Sequence, residues 1–259
     1  MKHKDYKIFD AHFHIIDSSF PLVINQSYIP EVFTCDDYSK QTSELNINGG
    51  AVVSASFQGF DQSFLFDALK KLGPSFVGVI QLPTTVSDSE IIKLNNAGVR
   101  AVRFNIYRGS IETLKDLEYF AWRIYELVNW HIELYLDSKD LLELRPRLAL
   151  IPAVVIDHLG MTQTGFSALL HLVESGIKVK ASGFGRVDLN IVKALKSIAN
   201  VNPSALIFGT DLPGIRARRS FETQDINLIL NTLGEKLTKQ ILYSNAIAWY
   251  NPTKKDNIE

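Results

Sequence analysis

The sequence predicts a single domain over residues 1–259 that folds as a (β/α)8 barrel. Such barrels typically take about 250 residues, and this chain has 259. Eight short runs rich in β-branched residues alternate with longer amphipathic stretches, the pattern of βαβ units around a parallel sheet. The alternative is an open doubly wound sheet, which favours a glycine-rich turn after its first strand. Here His12-Phe13-His14 stands at that position, so the closed barrel is the preferred prediction.

The predicted strands and helices alternate along the whole chain. The strands are Lys7–Phe13, Gly50–Ser54, Phe76–Gln81, Ala101–Asn105, His131–Leu136, Ala153–Ile156, Lys178–Ala181 and Ala205–Phe208. Helical patterns are found at Gln62–Leu72, Asp88–Ala97, Ile111–Asn129 and Leu189–Ile198. Gly73, Gly98 and Gly176 follow helical patterns, where glycine is typical of a helix end. The long connection over residues 14–36 is predicted to carry substrate-binding groups.

The composition of the chain limits the kinds of molecule that the protein is expected to bind. The chain has 27 Lys and Arg against 28 Asp and Glu, so it lacks the basic excess typical of nucleic-acid-binding proteins. Cys35 is its single cysteine, which excludes an intrachain disulfide. The first ten residues lack the apolar core of a signal peptide, and no apolar run is long enough to cross a membrane. We expect a cytoplasmic protein with a small-molecule substrate and neither a nucleic-acid nor a membrane partner; the sequence does not indicate the oligomeric state.

Polar side chains occupy the ends of the predicted strands, where a buried strand should be apolar. In a barrel, the carboxyl ends of all strands face one shared mouth. The residues at these ends are His12, His14, Ser54, Ser56, Gln81, Arg103, Asn105, Tyr135, Asp137, Asp157, His158, Lys180, Ser182, Thr210 and Asp211. The mouth of the barrel is therefore the predicted site.

Three histidines and one aspartate form the strongest candidate cluster. His12 and His14 are two residues apart in a strand, so both side chains project to the same side. His158 ends the sixth strand and Asp211 the eighth. Each has a structural alternative: buried histidines can simply be hydrogen-bonded, and aspartate commonly begins an Asx turn. Their coincidence on strands one, six and eight favours a functional site.

A set of cations lies at or just after the strand ends. Its members are Arg103, Arg108, Lys180, Arg186, Arg216, Arg218 and Arg219. The planar guanidinium group binds carboxylates through two hydrogen bonds, so the set predicts a small anionic substrate such as a dicarboxylate. About half of the set is expected to be solvated surface charge. Arg103 is the least expected to be surface charge, because it lies between Val102 and Phe104 in a buried strand.

Several blocks together resemble the amidohydrolase-related (amidohydrolase 2) family, in its branch around 2-pyrone-4,6-dicarboxylate lactonase. The resemblance covers nearly the whole chain, and the order and spacing of the blocks are more specific than any one of them. The blocks are residues 9–14 (FDAHFH), 54–61 (SASFQGFD), 98–105 (GVRAVRFN), 156–160 (IDHLG), 180–183 (KASG) and 208–213 (FGTDLP).

The resemblance implies a distorted (β/α)8 barrel that hydrolyses bonds at a carbonyl carbon. It implies that Asp211 is the general base that activates water, while His12, His14 and His158 polarise the carbonyl group or orient the water. Substrate carboxylates would be held by Arg103, Arg186 and Arg216, with Ser56, Lys180 and Tyr135 as further binding residues. The preferred activity is that of a lactonase acting on a small carboxylated lactone similar to 2-pyrone-4,6-dicarboxylate.

The sequence departs from the metal-dependent members of the wider superfamily. Those members place a carboxylated lysine or a glutamate on the fourth strand and often a histidine on the fifth. Here these positions read Arg103-Phe104-Asn105 and Tyr135-Leu136-Asp137, which argues against a binuclear centre. A single Zn²⁺ held by His12, His14 and Asp211 remains open, since three protein ligands and water make a catalytic zinc site. The lactonase branch resembles a metal-free design, so no cofactor is the preferred expectation.

Two other functions compete with the lactonase. The first is a Zn²⁺-dependent decarboxylase of the same superfamily, against which the missing fifth-strand histidine counts. The second is a non-catalytic barrel that binds a small molecule, and it leaves the presence of Asp211 and all three histidines unexplained.

Overall fold

The computed structural model describes residues 5–23, 28–108 and 114–251. Its eight strands form one sheet in chain order, and every pair of neighbours is parallel. They are β1 (Lys7–Phe13), β2 (Asn46–Val53), β3 (Phe76–Ile80), β4 (Val99–Asn105), β5 (His131–Tyr135), β6 (Val154–Ile156), β7 (Lys178–Ala181) and β8 (Leu206–Phe208). The predicted (β/α)8 barrel and its eight strands are thereby confirmed, with boundaries shifted by at most a few residues.

Hydrogen bonds just past the end of β8 close the barrel against β1. The Asp211 N–H donates to the carbonyl of His12 at 2.7 Å, and the His14 N–H donates to the carbonyl of Leu212 at 2.8 Å. The carboxylate of Asp10 accepts from both the N–H and the hydroxyl of Thr210, at 2.8 and 2.6 Å. The seam between the first and last strands therefore lies beside three of the candidate catalytic residues.

Helices surround the barrel. They are α1 (Cys35–Gln41), α2 (Ser63–Leu72), α3 (Asp88–Asn96), α4 (Leu114–Val128), α5 (Leu141–Leu148), α6 (Phe166–Glu174), α7 (Ile191–Val201), α8 (Thr223–Lys239) and α9 (Asn245–Tyr250). A π-helical segment over Gln240–Ser244 joins α8 to α9. The four predicted helices correspond to α2, α3, α4 and α7; part of the predicted Ile111–Asn129 lies outside the described residues. Within the described ranges, no helix is both long and apolar enough to cross a membrane.

Apolar and polar side chains divide the barrel interior between them. Ala101 lies two residues before Arg103 on β4, and so faces the same side of the sheet. It belongs to a small buried cluster with Phe9, Val79 and Ile207, which Tyr250 of α9 joins. The Tyr250 ring stacks on Phe9 with ring centroids 5.3 Å apart. This cluster fills one end of the interior, which leaves the carboxyl end of the strands for polar side chains.

Candidate active site

The four predicted cluster residues meet at one point. The Nε2 atoms of His12, His14 and His158 lie 3.8, 3.9 and 3.9 Å from Oδ1 of Asp211. All four residues are buried. These separations are too long for direct hydrogen bonds, but each histidine nitrogen and the carboxylate oxygen can contact one shared atom. His12, His14, His158 and Asp211 are called the histidine–aspartate cluster below.

Strained backbone positions two of these side chains. His158 has φ 51° and Asp211 has φ 60°, in the left-handed region that residues other than glycine rarely adopt. Leu159 follows with φ 53° in a short turn over His158–Gly160. Such strain concentrates at functional sites, where the surrounding structure over-determines an unfavourable conformation. The turn after β6 and the turn after β8 therefore share a feature of catalytic loops.

The Nδ1 atoms of the histidines have defined partners. His14 Nδ1 lies 2.7 Å from the carbonyl oxygen of Val53, and His158 Nδ1 lies 2.9 Å from Oγ of Ser182. A carbonyl oxygen only accepts, so His14 carries its proton on Nδ1 and directs an Nε2 lone pair at Asp211. His12 Nδ1 lies 3.0 Å from Nζ of Lys180. These contacts fix the orientation of all three rings.

Burial keeps the three rings neutral. It lowers the pKa of His12 from the ordinary 6.5, and the nearby charge of Lys180 lowers it further. Burial holds the pKa of His14 well below that value. The pKa of His158 is likewise held well below by burial and then by Arg186. Neutral imidazoles can accept a proton, donate one or bind a metal ion.

Arg186 holds one side of the Asp211 carboxylate. Its Nε and Nη2 donate to Oδ2 at 2.7 and 2.6 Å. Burial would lower the pKa of Arg186, but Asp211 beside it raises that pKa. The other oxygen, Oδ1, and Nε2 of His12 are buried without a hydrogen-bond partner among the described residues. Arg186 therefore fixes the orientation of Asp211 through Oδ2, while Oδ1 remains available to contact a ligand.

The cluster fits a single metal ion. Ligand atoms of His12, His158 and Asp211 all lie within 4.8 Å of one another, and nitrogen and carboxylate ligands suit Zn²⁺. This set contains His158 where the predicted set had His14. A second group of such atoms comes from His12, Glu133 and Asp157. There, however, the Lys180 ammonium group contacts all three residues and supplies the positive charge.

A network of buried charges adjoins the cluster. Arg103 donates from Nε and Nη2 to Oδ2 of Asp157 at 3.0 and 2.9 Å. Nζ of Lys180 donates to Oε2 of Glu133, and the Tyr250 hydroxyl donates to Oε1 of the same carboxylate. Burial would raise the pKa of Asp157, but Lys180, His12 and Arg103 together hold it well below the ordinary value. Arg103, Glu133, Asp157, Lys180 and Tyr250 are called the charged network below.

A pocket opens above the histidine–aspartate cluster. Among the predicted substrate-binding residues, Ser56, Arg103, Tyr135, Arg186 and Arg216 line it, together with His14 and His158. Lys180 does not line it, since this side chain is fully buried in the charged network. The remaining lining residues are Ala55, Phe57, Asn105 and Ile215.

The other predicted cations do not line the pocket. Arg219 forms a salt bridge with Asp225, and Arg218 is exposed to solvent. The side chain of Arg108 lies outside the described residues. Part of the cationic set is thus surface charge, in line with the expectation from the sequence.

Glu133 and Tyr250 were missed by the sequence analysis. Glu133 is a fully buried acid in the middle of β5, within the predicted strand His131–Leu136. A charge inside an otherwise apolar strand is a signal that needs a buried partner, and it could have marked this residue. Tyr250 gave no comparable signal, because its role depends on where α9 packs.

Comparison with known proteins shows which family has a similar sequence. A family model described as amidohydrolase matches residues 9–251. A 2-pyrone-4,6-dicarboxylate hydrolase of Comamonas testosteroni is 36% identical over 160 residues, which is 58% of this chain and 51% of that protein. The match therefore spans about half the length of the Comamonas protein. A 4-sulfomuconolactone hydrolase of Hydrogenophaga intermedia is 26% identical over 223 residues, 79% of this chain and 74% of that protein.

Solved structures share the fold. A probable 2-pyrone-4,6-dicarboxylic acid hydrolase from Acinetobacter baumannii, with citric acid bound, superposes with a TM-score of 0.83 at 23% identity. That alignment covers 94% of this chain and 99% of the other. A protein from Agrobacterium tumefaciens superposes with a TM-score of 0.84 at 20% identity, over 95% of this chain and 96% of the other.

Proposed function

The chain belongs to the amidohydrolase family, and from this premise we propose that it hydrolyses the C–O bond of a small carboxylated lactone, with Asp211 as the general base. One observation supports this most strongly: Oδ1 of Asp211 has no partner among the described residues and faces three histidine Nε2 atoms at 3.8–3.9 Å. Asp211, His158, His12 and His14 are the proposed catalytic residues.

Asp211 is suited to activate water. Arg186 holds Oδ2, so Oδ1 keeps a fixed direction toward the floor of the pocket. A water bound there can donate to Oδ1 of Asp211 and to the Nε2 lone pair of His14. Transfer of one proton to Asp211 leaves hydroxide beside the pocket, and this hydroxide attacks the lactone carbonyl carbon. The ring C–O bond then breaks, and its oxygen leaves as an alkoxide or enolate that takes the proton back from Asp211.

The other histidines surround the place where negative charge develops on the carbonyl oxygen. A neutral imidazole with a proton on Nε2 can donate to that oxyanion, and such a donor is worth most in a site from which water is excluded. No metal is needed for this scheme. If a divalent ion is bound, His158, Asp211 and His12 in the tautomer with a free Nε2 lone pair would hold it, and it would supply Lewis acidity at the carbonyl group.

The charge of the site favours an anionic substrate. Three arginines, Arg103, Arg186 and Arg216, line the pocket, and no carboxylate is found among the described residues that line it. Arg103 also contacts Asp157, Arg186 contacts Asp211, and Arg216 lies over the Tyr28 ring at 4.4 Å. We propose Arg103, Arg186, Arg216, Ser56 and Tyr135 as the substrate-binding residues. The names of the relatives, which refer to dicarboxylate and sulfonated lactone substrates, support the same class.

The test follows ultraviolet absorbance of 2-pyrone-4,6-dicarboxylate and a panel of carboxylated lactones, with 4-sulfomuconolactone included. Wild-type protein is compared with Asp211→Asn, and Asp36→Asn on the exposed side of α1 serves as the matched control. We expect turnover by the wild type and the control, and loss of about 10²–10⁴-fold in kcat/KM for Asp211→Asn. Full activity of Asp211→Asn would exclude it as the base.

An inactive wild type across the panel would remove the lactone assignment. The same protein would then be assayed for CO₂ release from aromatic carboxylates, before and after chelation. Chelator-sensitive CO₂ release would support the metal-dependent decarboxylase instead. Binding without turnover of any compound would support the non-catalytic barrel.

A further inference from the structure

We propose that Lys180 is a positioning residue that selects the tautomer of His12 with its proton on Nε2. His12 then presents a hydrogen-bond donor, and not a lone pair, to the space in front of Asp211 Oδ1. The catalytic meaning of this arrangement rests on the proposed function. The arrangement itself rests on contacts in the charged network.

The contact between Lys180 and His12 determines the tautomer. Nζ of Lys180 lies 3.0 Å from Nδ1 of His12. With the carboxylates of Glu133 and Asp157 beside it, Lys180 is an ammonium group, which donates hydrogen bonds and accepts none. Nδ1 must therefore accept, and the single proton of the neutral ring is on Nε2.

Asp157 is the competitor for the same nitrogen. Its Oδ1 lies 3.4 Å from Nδ1 of His12 and has no hydrogen-bond partner among the described residues. If Lys180 did not occupy Nδ1, a proton there would donate to Asp157, and Nε2 would become a lone pair. The aspartate–histidine pair common in enzymes would then form. Lys180 is closer, at 3.0 Å, and its position excludes that pair.

Lys180 is held in place from the far end of the barrel. Its side chain is fully buried and donates to Oε2 of Glu133, whose other oxygen accepts from the Tyr250 hydroxyl. Tyr250 is the last residue of α9. A continuous chain of hydrogen bonds therefore runs from this helix through β5 and β7 to His12 on β1. A side chain bonded in this way has little freedom to leave Nδ1.

His14 has the opposite tautomer. Its Nδ1 donates to the carbonyl of Val53, so its Nε2 is a lone pair. Nε2 of His12 is thus a hydrogen-bond donor and Nε2 of His14 an acceptor, and both atoms face Oδ1 of Asp211. His12 can donate to the oxyanion while His14 and Asp211 accept from water. A ring protonated at Nε2 also has no lone pair there for a metal ion, so Lys180 weakens metal binding by His12.

The experiment reads the tautomer by ¹⁵N NMR of the histidine side chains. A single Lys180→Met change would leave two buried carboxylates short of a cation, so the test variant is the double change Lys180→Met with Glu133→Gln. This variant removes one charge of each sign. The His12 signals are assigned from their loss in His12→Asn. The matched control is Lys178→Met on the same strand, whose Nζ contacts Ser204.

We expect His12 of the wild type and of Lys178→Met to show an unprotonated Nδ1 and a protonated Nε2. In the folded double variant the two nitrogens exchange character, because Nδ1 now donates to Asp157. A protonated Nδ1 in the wild type, or no exchange in the folded double variant, overturns the proposal.

Zn²⁺ titration by calorimetry is the second readout. The double variant should bind Zn²⁺ about 10-fold or more tightly than Lys178→Met, since a lone pair on His12 Nε2 becomes available. An affinity that does not rise contradicts the proposal. Neither measurement uses a substrate, so failure here is distinguishable from failure to hydrolyse lactones.

Discussion

The histidine–aspartate cluster and the charged network are neighbours with opposite character. In the cluster, Oδ1 of Asp211 and Nε2 of His12 are buried without partners among the described residues. In the network, both oxygens of Glu133 accept hydrogen bonds, and its cation Lys180 contacts three polar groups. The cluster keeps polar atoms available for a ligand, whereas Glu133 and Lys180 use theirs within the network. Oδ1 of Asp157 is the exception in the network, since it has no hydrogen bond among the described residues.

The backbone shows the same contrast. His158 and Asp211 of the cluster lie in turns with positive φ, while Glu133 and Lys180 of the network lie inside regular strands. Unpartnered groups and strained turns cost stability, and satisfied buried networks rigidify a fold. We infer that changes in the cluster act mainly on activity, and that changes at Glu133 and Tyr250, the part of the network away from the pocket, act mainly on stability.

The largest effect is expected from His158→Asn. The asparagine amide can replace Nδ1 at Ser182 and tolerates the positive φ of this position, but it removes Nε2. We expect kcat/KM on the lactone substrate to fall by about 10²–10⁴-fold. The unfolding temperature should stay close to that of the wild type. His171→Asn, an exposed histidine, is the control and should match the wild type in both assays. A large loss of stability in His158→Asn would break the contrast between the two regions.

We expect the free energy of unfolding to fall in acid, because the folded chain holds buried histidines in their neutral form. Burial lowers the pKa of His12, His14, His158 and His131 below the ordinary 6.5, so these rings stay neutral in the folded chain. The unfolded chain protonates them below pH 6.5, which means that their stabilising contribution is present above that pH and lost as the pH falls. For each of these rings, the free energy of unfolding falls by up to about 1.4 kcal/mol per pH unit below pH 6.5.

One buried acid opposes this trend. Burial raises the pKa of Asp10 from 3.8 to about 6, so between these values the folded chain takes up a proton that the unfolded chain does not. Its contribution is present at low pH and lost as the pH rises through 6. We still expect urea unfolding at pH 7, 6 and 5 to show falling stability, since four histidines outnumber Asp10. A stability that is constant or rises toward pH 5 would contradict this expectation.

A smaller effect on stability is expected from Tyr250→Phe in the charged network. The change removes only the hydroxyl that donates to Glu133, and leaves the ring stacked on Phe9. A hydrogen bond to a buried charge is worth about 1.5–3 kcal/mol, so the free energy of unfolding should fall by that amount. Tyr119→Phe, on the exposed face of α4, should leave it unchanged. A Tyr250→Phe protein as stable as the wild type would show that the network does not stabilise the barrel.

The smallest effect is expected at the rim of the pocket, from Arg216→Met. This change keeps much of the apolar contact with the Tyr28 ring and removes the positive charge. We expect KM for an anionic lactone to rise about 10-fold with little change in kcat, since a charge-assisted hydrogen bond to substrate is worth about 1.5 kcal/mol or more. Arg218→Met on the exposed surface is the matched control. An unchanged KM would remove Arg216 from the substrate-binding residues.

Much of the candidate site could be predicted from the strand ends. Spacing of two in a strand places His12 and His14 on one side, and the barrel brings His158 and Asp211 to the same mouth. The role of Lys180 could not be predicted in this way. A lysine at a strand end has the same sequence signal whether its side chain enters the pocket or turns into the interior.

The amino-acid sequence by itself determined the fold class, the order of the strands and the identity of the four cluster residues. The periodicity of apolar residues and the polarity of the strand ends are local properties of the sequence. In a closed parallel barrel they determine where the side chains lie, because all strands end at one mouth. Only the tertiary structure decided which groups are partners: Lys180 with His12, 168 residues away along the chain, and Arg186 with Asp211. These pairings depend on distances and directions between different strands, and a one-dimensional pattern does not contain them.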